Sequence, residues 1–196
     1  MKNIQSVLVY CGAAKGNKSE YANAAVQLAE LFCEQNIRLI YGGGSVGLMG
    51  VLADTMLENG GAVTGVIPEF LFNKEVAHAG VKDMRVVSSM HERKALMEQM
   101  ADAVIALPGG FGTMDELFEM LTWAQLGLHE KPIGLLNTNG FYSAFMSHLD
   151  MMVREGFLNE INRELLVSAS TPALLIDQIR KYKVSPSLKL LDRNQT

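Results

Sequence analysis

Cysteine is scarce in this 196-residue chain. Cys11 and Cys33 stand far apart, in no Cys-x-x-Cys pair and in no Cys/His cluster with metal-ligand spacing. That leaves no disulfide framework and no thiolate metal site, and both residues read as buried thiols of a reducing cytosol. Charge is also modest, at 19% of residues with a formal net charge of −4. There is no basic block of the kind that grips a phosphate backbone, so nucleic acid is not an expected partner. An anionic ligand must then be held by local geometry. Long apolar runs are missing too: nothing approaches the roughly 18 consecutive residues of a membrane span. The apolar start before Gly12 is too short for a signal peptide, and no small-residue cleavage site follows it. A cytoplasmic location with no membrane partner is the expectation. Linkers and low-complexity stretches are likewise missing, so residues 1–183 read as one domain and 184–196 as a polar tail.

What is present is a 48% apolar composition, ample for a core without staples. Short apolar runs alternate with amphipathic stretches. Strands are expected at Val7–Cys11, Arg38–Tyr41, Ala62–Ile67, Met84–Val87, Ala103–Leu107 and Pro132–Leu136, with a short one near Leu165–Ser168. Helices are expected at Ser19–Gln35, Leu48–Asn59, Met90–Met100, Thr113–Leu126, Tyr142–Arg154 and Pro172–Tyr182. Residues 68–83 read as a loop or irregular lid. The strands are near-continuous apolar runs, which implies a parallel sheet covered on both faces. The fold class is α/β: a doubly wound, mainly parallel, Rossmann-like sheet with helices on both faces. Ligands of such sheets bind at the carboxyl ends of the strands.

Two glycine-rich turns occupy such ends. Gly42-Gly43-Gly44-Ser45-Val46-Gly47 contains G-x-G-x-x-G between a strand and a helix. It admits two readings: close approach of backbone to a phosphate at a helix N-terminus, or a tight turn needing positive φ. The turn follows the second strand rather than the first, and no acidic residue stands clearly at the end of the next strand, which weakens a dinucleotide reading. Pro108-Gly109-Gly110-Phe111-Gly112-Thr113 is the second turn. Its glycines can form a nest of N–H donors and Thr113 can add its hydroxyl. No G-K-[ST] follows, which excludes an ATPase P-loop. Glu116 then falls in the first turn of the next helix, where the dipole favours an acid anyway. Beside a phosphate nest, a carboxylate must face another part of the ligand, and we assign it to the sugar.

Ser89-Met90-His91-Glu92 has the form of a capping box. Arg93 and Lys94 follow at once, where positive charge opposes the helix dipole at a cost of a few tenths of a kcal/mol. Such breaks of local consistency mark functional sites, and the strand-end position aims Arg93 at the crevice between the glycine turns. His91 reads equally as a base or as a capping or surface residue.

The run Gly42 to Gly50, the segment Met90-His91-Glu92-Arg93-Lys94 and the stretch Pro108 to Glu116 together resemble the LOG ("Lonely guy") family. Its members are cytokinin riboside 5′-monophosphate phosphoribohydrolases, often labelled possible lysine decarboxylases. The resemblance takes in Thr122-Trp123-Ala124-Gln125-Leu126-Gly127 and Lys131-Pro132-Ile133-Gly134, and spans roughly residues 5–180 in the family's order. It implies a homodimer that cleaves a nucleoside monophosphate, such as AMP or an N6-substituted AMP, to free base and ribose 5-phosphate. It implies no cofactor and no metal. Arg93 and Glu116 match the family's catalytic pair. Gly110, Phe111, Gly112, Thr113 and Glu116 match its phosphate- and ribose-binding loop. Lys94, Glu75 and Thr122 match further substrate contacts, and Gly43, Gly44, Met90 and Gly109 complete the expected binding set. One loop departs from the pattern. The family usually has a Cys-Gly-Ser-Ser turn after the first strand, and here Cys11-Gly12-Ala13-Ala14 removes two hydroxyls, which bears on base preference more than on chemistry.

Two other function classes fit parts of the sequence. A non-catalytic nucleotide-binding or sensing module would use the glycine turns but has no need of Glu116. A pyridoxal phosphate decarboxylase needs a Schiff-base lysine, for which Lys94 is the crevice candidate. For assembly, Thr113–Leu126 carries Leu117, Phe118, Met120, Leu121, Trp123 and Leu126, more apolar surface than one sheet face consumes. With the resemblance, this implies a twofold interface.

Overall fold

A computed structural model of the chain describes residues 3–72 and 77–183. Seven strands form one sheet in the order β4-β3-β2-β1-β5-β6-β7, every neighbouring pair parallel. They are β1 (Ser6–Tyr10), β2 (Arg38–Tyr41), β3 (Val63–Pro68), β4 (Asp83–Val87), β5 (Ala103–Ala106), β6 (Ile133–Leu136) and β7 (Leu166–Ala169). The helices are α1 (Ser19–Glu34), α2 (Gly47–Glu58), α3 (Glu69–Phe72), α4 (Met90–Met100), α5 (Phe111–Gln125), α6 (Ser143–Arg154), α7 (Glu160–Arg163) and α8 (Pro172–Lys181).

Successive side chains of a strand point to opposite faces, and both faces of the inner strands are dry, while the edge strand β4 is partly exposed. Val7 and Val9 of β1 pack with Leu28 and Phe32 of α1, Leu52 and Met56 of α2, and Leu175 and Ile179 of α8. Leu8 and Tyr10 pack on the other side with Met97 of α4, Leu117 and Met120 of α5, and Leu149 of α6. This two-sided burial explains the unbroken apolar runs. Cys11 is buried and free. Cys33 is free but only half-buried, which corrects the expectation of two buried thiols, because it packs at the edge of the α1–α2 contact.

The strand order reverses at β1, which lies between β2 and β5. Such a switch point opens a crevice at the carboxyl ends of the strands. Register levels those ends, since Val9 lies opposite both Tyr41 and Ile105. The loops after β1, β2 and β5 therefore emerge side by side. They are tied together by Gly12 N–H donating to the Pro108 carbonyl (3.1 Å) and Leu48 N–H donating to the Gly12 carbonyl (3.0 Å).

Several boundaries differ from expectation for identifiable reasons. Pro68 belongs to β3 and lies opposite Val87. Pairing of β3 with β2 stops at Gly65, so the missing N–H of Pro68 costs no ladder bond on that side. The expected loop at 68–83 contains the short helix α3 and the first residue of β4. The short helix α7 was not anticipated; Asn159 caps it, its Oδ1 accepting from Asn162 N–H at 2.7 Å. Helix α5 starts at Phe111 rather than Thr113, with Gly110 as N-cap. Glu116 therefore lies in the second turn, where the dipole has faded. The expected polar tail lies outside the described residues. No helix among the described residues is long and apolar enough to cross a membrane.

Candidate functional site

Arg93 and Glu116 reach the same point from two helices. Ser89 caps α4, its Oγ accepting from Glu92 N–H at 3.1 Å. The reciprocal half of the box is displaced by one residue: the Glu92 carboxylate accepts from the N–H and hydroxyl of Ser88 (2.8 and 2.6 Å). With the helix start so fixed, Arg93 points inward. Its Nε donates to the Val66 carbonyl of β3 at 3.0 Å and its Nη1 to Glu116 Oε1 at 3.1 Å. Both side chains are 11% exposed.

Burial is the largest influence on Glu116 and pushes its carboxyl up to about 6, against the opposing pull of Arg93 and then Lys94. The nearby Tyr10 hydroxyl is also pushed up, by burial first and by Glu116 second. A carboxyl poised near neutrality can exchange a proton at working pH. A strongly perturbed group in a crevice is a candidate for chemistry.

The glycine turns divide the labour differently from each other. In the first, a Cβ at Gly42 would overlap the Arg93 guanidinium, so this position is the seat of Arg93. Gly47 has φ +64°, and a Cβ there would overlap the backbone of Ala13 and Ala14. The Gly43 carbonyl accepts from His78 N–H (2.9 Å), and Gly44 bridges Ala77. The His78 ring is itself fixed: Nδ1 accepts from Gly80 N–H at 3.1 Å, and Nε2 lies 3.0 Å from Asp54 Oδ1. The first turn thus serves packing and the seating of Arg93. The second turn is open: added Cβ atoms at Gly110 and Gly112 meet nothing within 4 Å. Phe111 is 97% exposed, and Thr113 is buried, folded back over Gly109. The first N–H groups of α5 have no intrahelical partner and are available to an anion.

The remaining expected residues scatter. Lys94 Nζ is held by Asp115 at 2.8 Å and Glu119 at 3.1 Å. Burial alone would lower its pKa, and those two carboxylates outweigh burial and raise it. A Schiff-base lysine must lose its proton, so this arrangement disfavours pyridoxal chemistry at Lys94. Met90 opens α4 and sets its sulfur 4.0 Å from Arg93 Nη1. Thr122 is exposed on α5 about 9 Å along the axis from Glu116. Its hydroxyl donates to the Phe118 carbonyl (2.7 Å), and it lines a separate cavity of about 190 Å³ with Phe118, Leu121 and Phe157. The structure does not bring Thr122 to the pair. Glu75 lies outside the described residues. Among the described residues, no group of three His, Cys, Asp or Glu side chains is arranged to hold a metal ion.

Sequence reasoning missed three elements: the Val66 carbonyl, the Gly42 seat, and a cleft of about 440 Å³ beside the second turn. The first two involve contacts between β3, the β2 loop and α4 that no local pattern records. The cleft had a faint signal in Lys15, which follows the departure at Ala13-Ala14.

A family model described as "Possible lysine decarboxylase" matches residues 49–179. The chain is 51% identical over 176 residues to "Cytokinin riboside 5′-monophosphate phosphoribohydrolase LOG" of Oryza sativa subsp. japonica, covering 90% of this chain and 73% of that one. It is 46% identical over 176 residues to the Arabidopsis thaliana protein of the same description named LOG3, covering 90% and 82%. Among solved structures, the molybdenum cofactor binding protein of Rippkaea orientalis superposes with a TM-score of 0.67 at 23% identity, over 92% of this chain and 98% of that one. The Moco carrier protein of Chlamydomonas reinhardtii gives 0.68 at 20% identity, over 91% and 97%. At those identities the likeness concerns the fold alone.

Proposed function

The chain belongs to the LOG family of phosphoribohydrolases, and from that premise we propose that it hydrolyses the N-glycosidic bond of a nucleoside 5′-monophosphate. The substrate is AMP or an N6-substituted AMP; the products are the free base and ribose 5-phosphate. The observation that carries this reading is the buried Arg93–Glu116 pair, with its carboxyl pushed up to about 6, beside the open start of α5.

Breaking the C1′–N bond passes through a transition state with positive charge on the sugar and negative charge on the departing base. A carboxylate at C1′ stabilises the first charge, or takes a proton from the water that adds there, as in glycoside hydrolysis. Glu116 serves in this role. Arg93 holds it from one side while the Val66 carbonyl holds Arg93, so the pair needs little reorganisation during reaction. In the overall balance water supplies OH to C1′ and H to the base. Phosphate held at α5 positions the sugar from a distance, and binding energy away from the reacting bond is thereby used to raise kcat. Gly109, Gly110, Phe111, Gly112 and Thr113 contribute this anchor, with Met90, Gly43 and Gly44 framing the crevice.

Incubation with AMP is expected to release adenine and ribose 5-phosphate, with kcat/KM for adenosine lower by roughly two orders of magnitude or more. Equal kcat/KM for the two compounds would remove the phosphate anchor from the mechanism. A protein that binds AMP but releases no adenine would be the non-catalytic module instead.

We assign a cytoplasmic location and a homodimer as part of the same reading. Leu117 and Met120 are consumed by the core, whereas Phe118 on α5 and Leu126 at its C-cap remain 40% and 38% exposed. Apolar side chains left on one helix face suit a twofold contact. Sedimentation should find twice the chain mass; a monomer at every concentration up to the millimolar range would refute the assignment.

A further inference from the structure

The cleft of about 440 Å³ lies at the β1/β5 switch point and is lined by Gly12, Ala13, Ala14 and Lys15 of the first loop, Gly109 and Gly110 of the second turn, and the aromatic side chains Tyr21 and Phe141. The two rings meet edge to face, with centroids 5.8 Å apart. The lining thus combines backbone of the two loops with a pair of aromatic rings. Lys15 is the cationic side chain on this lining.

A nucleotide phosphate carries close to two negative charges near neutral pH, and the charge inventory of the crevice leaves few groups to meet them. Arg93 is committed to Glu116 and the Val66 carbonyl. Lys94 lies between Asp115 and Glu119, whose combined charge exceeds its own. Lys15 is exposed and makes no ion pair with a described carboxylate. Its loop is anchored on both sides. The backbone of Ala13 and Ala14 seats against Gly47, and Gly16 at φ +75° packs on the Tyr21 ring. The stem of Lys15 thus leaves a short fixed loop that lines the same cleft as Gly110, the N-cap of α5.

Resting on the phosphoribohydrolase reading, we infer that Lys15 binds the 5′-phosphate of the substrate, together with the free N–H groups at the start of α5. The loop that lost two hydroxyls at Ala13 and Ala14 then contributes a charge to the phosphate. Lys94 instead acts as a positioning residue that clamps α5 to α4.

The test compares wild type with Lys15→Gln, which keeps length and removes charge, and with Lys15→Arg. Lys15→Gln is expected to lower kcat/KM for AMP roughly tenfold, the loss of one charged hydrogen bond, with kcat/KM for adenosine unchanged. Lys15→Arg should restore most of the affinity. A kcat/KM for AMP that stays within about twofold, or an equal loss on AMP and adenosine, overturns the assignment. If the wild type releases no base from any nucleotide, the hydrolase reading fails. Calorimetric titration with inorganic phosphate then judges Lys15 alone: weaker binding by Lys15→Gln upholds it, and equal binding overturns it.

Discussion

Replacing Glu116 by Gln is expected to lower kcat by roughly two orders of magnitude or more. Glutamine keeps the volume and can still accept from Arg93 Nη1, so geometry survives while the charge is lost. Nucleotide affinity should hold or rise, because a carboxylate near the phosphate anchor has been removed. The pH dependence carries the same information. Burial pushes the Glu116 carboxyl up to about 6, so wild-type kcat should fall as pH drops through that value and the carboxyl takes a proton. The phosphate of bound nucleotide adds negative charge nearby and moves this limb upward in the complex. In Glu116→Gln the limb should vanish. The kcat profile is the one to read, because the phosphate of free AMP itself titrates near pH 6. Unchanged turnover would reduce Glu116 to a buried structural acid and leave a nucleotide-binding fold.

The second large effect is on stability. Arg93→Ala strips a buried carboxylate of its counterion and the Val66 carbonyl of its donor. Breaking such a pair from one side costs about 3 kcal/mol or more when the remaining charge cannot neutralise. Glu116 can neutralise, so the cost depends on pH. Its folded pKa already lies above the ordinary carboxyl value of 4.5, a difference worth about 2 kcal/mol. A raised carboxyl pKa leaves stability intact below the unfolded value and removes it as pH rises through the folded value. Without Arg93 the folded pKa climbs further, so the deficit of Arg93→Ala against wild type should widen from pH 5 to pH 8 in urea melts. A deficit independent of pH would contradict this account. The variant should also lose turnover, and a double variant with Glu116→Gln should be little worse than the poorer single one.

Much of this was legible from local pattern. Continuous apolar strands dictated a covered parallel sheet, and seven parallel strands are found. The capping box placed the start of α4 at Met90, and the rule-breaking arginine after it is the one that turns inward. The start of α5 reads two residues late because Phe111 and Gly112 pass for part of the glycine-rich turn that runs to Thr113. Here two more residues fit into the helix, Thr113 folds back on Gly109, and Glu116 moves to the second turn. The partners of Lys94 were illegible because Asp115 and Glu119 reach it only once α4 and α5 lie side by side. The role of the first glycine turn depends on an arginine some 50 residues downstream.

The two ends of that turn answer to different pressures. At Gly47 an added methyl would strike main chain at a positive φ, so any side chain there strains the fold itself. At Gly42 it would strike only the far end of a movable side chain. The fold can yield there by evicting Arg93, which removes the catalytic pair outright and leaves Glu116 without its counterion, a loss of stability that protonation of the carboxyl limits at low pH. In a descendant released from its reaction, position 42 can drift together with Arg93 and Glu116, since removing both partners leaves no unpaired charge, whereas position 47 remains strained for any side chain; one motif thus carries a constraint of the catalytic pair at one end and of the main chain at the other.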